Sequence, residues 1–126
     1  GGYSYAYELI DQIRNLNQGR FIQRKGFAVG EREPTDFCIG CAVYPEHPQQ
    51  EERIEFAKQK FLRGAEYGIT QMIFDDEIHE KFLNMLAIAG IYAPILPGLR
   101  ILKNKKQGRL MSSRFGCSVP EWYMNM

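Results

Sequence analysis

The sequence predicts an α/β fold: about three consecutive strand–helix units of a (β/α)8 TIM barrel. Three observations predict it. Short apolar runs of strand character alternate with longer segments of helical period, and they do so in the order that builds parallel sheets. The clearest run, Phe37 to Val43, is apolar on both faces, as a strand held between a barrel interior and an outer helix must be. Strands also run directly into polar or proline-bearing residues, and in parallel α/β folds the carboxyl ends of strands are where ligands bind.

The elements follow in chain order. Ala6, Leu9, Ile10, Ile13 and Leu16 fall three and four apart and make one apolar stripe of a first helix, closed by Asn15, Asn17, Gln18 and Gly19. From Arg20 to Thr35, charges interleaved with Gly26, Gly30 and Pro34 predict a surface connection longer than the usual few residues. The strand Phe37–Val43 ends at Tyr44-Pro45-Glu46-His47-Pro48. A second helix spans roughly Gln50 to Leu62, with Ile54, Ala57, Phe61 and Ala65 on one face, acids near its start, bases later and Gly64 as a stop. Ile69 to Phe74 reads as the second strand. Asp75-Asp76 caps a helix carrying Ile78, Phe82, Met85, Leu86 and Ala89, stopped at Gly90. Tyr92 to Leu96 is a third short strand closed by Pro97-Gly98, followed by a weaker helix around Lys105 to Met111 and the start of a further element at Val119-Pro120-Glu121-Trp122.

Three such units leave two open sheet edges and one uncovered face, on which Ile, Leu, Cys and Val are expected to await facing strands. A whole barrel needs about 250 residues, twice the 126 present, and Gly1-Gly2 precede a helix with no strand ahead of it. The expectation is a partial barrel domain over 1–126, completed by an N-terminal half or by a partner chain. A small flavodoxin-like sheet is the structural alternative, disfavoured because such sheets carry about five strands.

Composition excludes several classes. At 44% hydrophobic and 13% aromatic the chain is globular, and 16 Lys+Arg against 15 Asp+Glu leave no one-signed stretch for nucleic acid or an anionic membrane. No apolar run approaches the roughly 20 residues of a membrane span, and no signal-peptide order is present. The expected setting is soluble and cytoplasmic. Three cysteines are too few and odd in number for a disulfide framework. Cys38 and Cys41 form a C-x-x-C, but in a strand residues three apart point to opposite faces and cannot share a metal.

Two places carry candidate chemistry. Tyr44-Pro45-Glu46-His47-Pro48 sets a phenol, a carboxylate and an imidazole on a proline-stiffened loop. These residues either bind a ligand or leave Tyr44 plugging the mouth with Glu46 and His47 solvated. Gln71 interrupts an apolar strand, sharing a face with Ile69 and Ile73 by alternation. A buried amide must be hydrogen-bonded, so its partner is a side chain, a water or a heterocycle with adjacent donors and acceptors. Lys60 and His79 read on spacing alone as solvated helix residues. No Walker loop, dinucleotide fingerprint or nucleophile elbow occurs.

Pro34-Thr35-Asp36-Phe37-Cys38-Ile39-Gly40, Tyr44-Pro45-Glu46 with His47, Gly68 to Asp75, and Pro94-Ile95-Leu96-Pro97-Gly98 resemble, in order and spacing, the methylenetetrahydrofolate reductase family, over essentially the whole chain. Gly2 to Ala6 with Leu9-Ile10 look like the segment following that family's catalytic Arg-Gly-Asp loop. The resemblance implies an FAD-binding barrel in which NAD(P)H reduces the flavin. The flavin then passes a hydride to methylenetetrahydrofolate, giving 5-methyltetrahydrofolate. It implies that Tyr5, Ala6, Tyr44, His47 and Lys60 contact FAD, that Gln71 hydrogen-bonds the folate pterin and contributes to nicotinamide binding, and that Ala65 packs a helix. It implies no catalytic residue within this chain, since the family's glutamate acid and flavin-tuning aspartate lie upstream. A homo-oligomer or the remaining barrel segment is the expected protein partner.

The sequence departs from the family at three points. One residue fewer separates Tyr-Pro-Glu from His47, Arg53 stands where an acidic FAD-ribose ligand is common, and no aromatic stands near Met111 where some members stack folate. Either Glu51, Glu52 or Glu55 substitutes for that acid or the contact is lost. The competing functions are a non-catalytic subunit or degenerate homologue that keeps the fold for assembly, and an unrelated barrel enzyme.

Overall fold

The computed structural model describes residues 2–21 and 32–125. The central part of the predicted Arg20–Thr35 connection therefore lies outside the described residues. The elements are α1 (Ala6–Asn17), β1 (Gly40–Val43), α2 (Gln50–Arg63), β2 (Tyr67–Met72), α3 (Asp76–Ile88), β3 (Ile95–Gly98), α4 (Lys105–Phe115) and the single turn α5 (Glu121–Met124). Strand and helix alternate three times. The strands lie in the order β1-β2-β3, every pair parallel, with Gly40 opposite Tyr67 and Gly68 opposite Ile95.

The helices begin and end where local chemistry satisfies their free backbone groups. The Glu8 carboxylate accepts the Tyr5 N–H at 2.8 Å, and Asp75 Oδ1 accepts the Glu77 N–H at 3.0 Å. The N-cap Asn104 accepts from the Gln107 N–H, and the Gln107 side chain reaches back to accept from the Lys103 N–H, both at 2.9 Å, which together start α4. This cap and the stop at Gly116 let α4 run four residues beyond the predicted Met111.

The helix side of the sheet holds the core. Val43, Ala57, Phe82, Leu86 and Ile91 form one buried cluster, and Ile10, Ile39 and Ala65 a second, with Cys41 and Phe61 touching both. Ala65 is thus a packing residue between α1 and the entry to β2. Cys41 and Val43 face these helices, so the uncovered face differs from expectation. In one register row it carries Ala42, Ile69 and Leu96, all three exposed. Cys38 is exposed while Cys41 turns to the core.

Strand limits also shift. β1 is regular only from Gly40, because Phe37 and Cys38 precede any pairing and are exposed. β3 begins at Ile95 instead of Tyr92, which is itself exposed. Between Ile69 and Met72 the β2–β3 register slips: three steps along β2 oppose two along β3. This bulge breaks the alternation, so Ile73 is buried (5% exposed) while Ile69 is 46% exposed, and the two do not share a face.

The end of α1 anchors the chain on both sides of the long connection. The Arg20 N–H donates to the Asn15 carbonyl at 2.8 Å and the Thr35 N–H to the Leu16 carbonyl at 3.0 Å. Asn17 completes the anchor. Its Oδ1 accepts from Thr35 Oγ1 (2.7 Å) and the Phe37 N–H (2.9 Å), and its Nδ2 donates to the Phe37 carbonyl (2.8 Å).

Candidate functional site

The carboxyl ends of β1 and β2 open onto a cavity of about 450 Å³. Tyr44, Pro45, Glu46 and His47 enter it from the β1–α2 loop, Arg53 from α2, and Gln71 and Met72 from β2. Arg114, Phe115 and Cys117 close it from the end of α4. A second cavity of about 390 Å³ runs along the open sheet face past Ala42, Tyr67 and Ile69. Tyr44 and Gln71 line both, and so stand at the rim between the mouth and the inner face.

Of the residues singled out in the sequence, Tyr44, His47 and Gln71 thus converge on one cavity. The loop that carries two of them is tied down by hydrogen bonds. Gln50 Nε2 donates to the Pro45 carbonyl at 3.0 Å, and both Glu46 oxygens accept the Ser118 N–H, at 2.9 and 3.1 Å. Glu46 is therefore a tether to the segment after α4. His47 Nδ1 accepts the Gln49 N–H at 3.1 Å, which puts the proton of the neutral ring on Nε2. Gln71 sits at the bulge, and its Oε1 accepts the neighbouring Met72 N–H at 3.1 Å. Its partner is local backbone, and the Nε2 group donates to nothing among the described residues.

Lys60, Tyr5 and Ala6 are placed differently. Lys60 is not the solvated helix cation that spacing suggests: it is 8% exposed, and its ammonium donates to the Ala42 carbonyl at 2.7 Å and lies 5.6 Å from the Tyr44 ring. Burial pushes its pKa below the usual lysine value, and the Arg53 charge pushes the same way. In this arrangement Lys60 supports β1 and Tyr44 from behind. Tyr5, at the start of α1 beside Ala6, stacks on Tyr7 at 5.1 Å and meets Phe56 at 5.6 Å. Arg53 lies 5.7 Å from Phe56 and 5.6 Å from Tyr44. One belt of rings and cations therefore joins Tyr5 to the mouth without bringing it into the cavity. His79 lies on α3, away from the cavity lining.

Arg114, Phe115 and Cys117 were not legible as site residues. They follow the predicted end of a weakly patterned helix, and Gly116 as its stop was the available signal. None of Glu51, Glu52 and Glu55 lines the cavity. All three are exposed, and Glu55 accepts from Gln59 Nε2 at 2.9 Å. No helix among the described residues is long and apolar enough to cross a membrane.

Comparison with known proteins agrees with this geometry. The family profile described as methylenetetrahydrofolate reductase matches residues 1–126. 5,10-Methylenetetrahydrofolate reductase of Escherichia coli is 33% identical over 99 residues, covering 75% of this chain and 33% of that protein. Methylenetetrahydrofolate reductase 1 of Schizosaccharomyces pombe is 31% identical over 128 residues, covering 98% of this chain and 19% of that protein. The probable methylenetetrahydrofolate reductase (NADPH) of Caenorhabditis elegans is 42% identical over 92 residues, covering 70% of this chain and 13% of that protein. The chain spans about a third of the length of the bacterial relative and less of the eukaryotic ones. With the profile matched from end to end and the strand-end cavity assembled from the motifs that carry the likeness, the chain belongs to the methylenetetrahydrofolate reductase family.

Proposed function

We propose that the chain forms the flavin- and folate-cradling part of a (β/α)8 barrel enzyme that reduces 5,10-methylenetetrahydrofolate to 5-methyltetrahydrofolate with NAD(P)H, through FAD. The observation that carries this reading is the convergence of Tyr44, His47 and Gln71 on one cavity at the strand ends. The parallel sheet leaves Ala42, Ile69 and Leu96 in a row on an open face, which further barrel strands would cover. The name of the Caenorhabditis elegans relative favours NADPH as donor.

The residues fit a flavin dinucleotide on chemical grounds. Tyr44 brings a ring to the mouth and His47 an Nε2–H, and Arg53 Nε takes no hydrogen-bond partner among the described residues, so the lining combines aromatic surface with unused donors. Bound FAD would supply hydride transfer. Within this chain, Gln71 Nε2 is the free donor that would orient the folate heterocycle, while its Oε1 holds the bulge in place. Lys60 ties α2 to the end of β1 through the Ala42 carbonyl and sets its ammonium against the Tyr44 ring. The reading carries with it a cytoplasmic enzyme whose protein partner is a second copy or the remaining barrel segment, without membrane or nucleic-acid partners.

The full-length protein should purify yellow, with a flavin absorbance that folate and NADPH change. Gln71→Glu, which loses the Nε2 donor, should lower folate turnover more than flavin reduction by NADPH. A colourless protein that takes up no added FAD refutes the reading.

A further inference from the structure

One buried hydroxyl beside the mouth has no part in the function proposed above. Thr70 is 5% exposed and pairs across the sheet with Val43, a residue of the main core. Valine has the same outline and the same β-branch, and would fill this place in a parallel strand. The chain instead buries a hydroxyl, which costs free energy unless its hydrogen bonds are made.

They are made, and both fall on the bulge. Thr70 Oγ1 accepts the Gly98 N–H at 2.9 Å and donates to the Gln71 carbonyl at 2.8 Å. The first bond ties β2 to β3 where the register slips, one residue after Pro97, which has no N–H to offer the ladder. The second holds one half of the Gln71–Met72 peptide. The other half, the Met72 N–H, is held by Gln71 Oε1 at 3.1 Å. Side chains thus fix this peptide from both ends. The Gln71 side chain is left directed at the cavity it lines, with Nε2 free among the described residues.

We propose that Thr70 is the positioning residue for Gln71: its hydroxyl pins the bulge and so holds the Gln71 amide at the mouth. An apolar side chain of the same shape would leave the Gly98 N–H and the Gln71 carbonyl unanswered, and the bulge would lose the bonds that set it apart from a regular ladder. That the amide meets a folate heterocycle rests on the function proposed above; that Thr70 places it does not.

The test uses the full-length protein with Thr70→Val, which removes the hydroxyl, and Thr70→Ser, which keeps it, each with and without Gln71→Ala. Amide exchange and the nuclear magnetic resonance of the Gln71 side-chain amide report the placement without any ligand. Thr70→Val should speed exchange at the Gly98 N–H about tenfold or more and shift the Gln71 Nε2 resonance, whereas Thr70→Ser should stay within about threefold of the parent. Turnover of methylenetetrahydrofolate reports the consequence. Thr70→Val should lower kcat/KM by about tenfold in the parent and by less than about twofold in Gln71→Ala, because a residue that acts through Gln71 has no effect once the amide is gone. An equal loss in both backgrounds overturns the proposal, since packing alone would give it. So does unchanged Gly98 exchange with an unmoved Gln71 resonance. Thr70→Ser decides the case where the valine protein does not fold: kept turnover supports the hydroxyl's role, and a loss matching that of Gln71→Ala overturns it. Gln71→Ala with undiminished turnover refutes the folate reading of Gln71, and exchange and resonance then decide the pin by themselves. A protein in which Gln71→Ala abolishes turnover while Thr70→Val moves neither readout keeps the folate reading and loses the pin.

Discussion

Gly98 sits where the β2 bulge meets the end of β3, and a single methyl there should be costly. Its N–H donates to Thr70 Oγ1 at 2.9 Å and its carbonyl accepts the Ile73 N–H at 2.9 Å. A Cβ at this position would fall well inside contact distance of the Thr70 carbonyl oxygen and 3.4 Å from the Gln71 carbonyl carbon. The obstruction is backbone, so no rotamer relieves it. Overpacking of this kind costs about 1–3 kcal/mol, and parting the strands strains two hydrogen bonds worth about 1 kcal/mol each. Gly98→Ala should therefore destabilise by about 4 kcal/mol, a drop in urea midpoint of about 2 M for an m-value near 2 kcal/mol/M. Gly90→Ala is the control. Gly90 has φ +81° and open space around its Cβ, so it should cost only the left-handed penalty of about 1 kcal/mol. A Gly98→Ala protein no less stable than Gly90→Ala would refute the close approach, and with it the bulge that positions Gln71.

Three further outcomes follow from named contacts. Asn17→Ala should cost about 1–3 kcal/mol, read by urea unfolding, since it removes three hydrogen bonds, to the Phe37 N–H and carbonyl and the Thr35 hydroxyl, together; a change below 0.5 kcal/mol, roughly that of a neutral surface substitution, would contradict it. Glu46→Ala should release the segment after α4, seen as faster amide exchange at Ser118, because both carboxylate oxygens hold that N–H; unchanged exchange would show the tether to be idle. Lys60 has its pKa lowered by burial, so the folded state binds its proton more weakly than the unfolded chain does. Its penalty is fully present below the depressed value and disappears as pH rises from there toward the ordinary 10.5. The stability of the parent relative to Lys60→Met should accordingly rise over that alkaline window, and a pH-independent difference would oppose the assignment.

The alternation of elements was legible because helical and strand periods differ sharply: the stripe through Ile10 and Ile13 and the caps at Asp75 and Gly64 locate α1, α2 and α3 closely. Two features were not. Alternation cannot register an inserted residue, so the bulge at Thr70–Gln71 sent Ile73 to the buried side. A helix as polar as α4 has little stripe to follow, so its end, and with it Arg114 and Phe115 in the mouth, went unread. The mouth itself was partly legible because Tyr44, His47 and Gln71 belong to strand ends and an interrupted strand, positions with their own physical signature. The belt from Tyr5 through Phe56 and Arg53 to Tyr44 depends on tertiary approach of α1 to α2, which no local pattern carries.

The anchor at the end of α1 has a consequence for how the gene can change. The backbone leaves at Arg20 and returns at Thr35 to the same helical turn, pinned by Asn15, Leu16 and Asn17. With both ends fastened there, the span between them can grow or shrink without moving Ile39 or the strand that follows. Doubling such a span costs only about 0.6 kcal/mol of closure entropy. Insertions and deletions should therefore collect at this point, and a reporter peptide or affinity tag grafted there should leave the sheet and its mouth as they are.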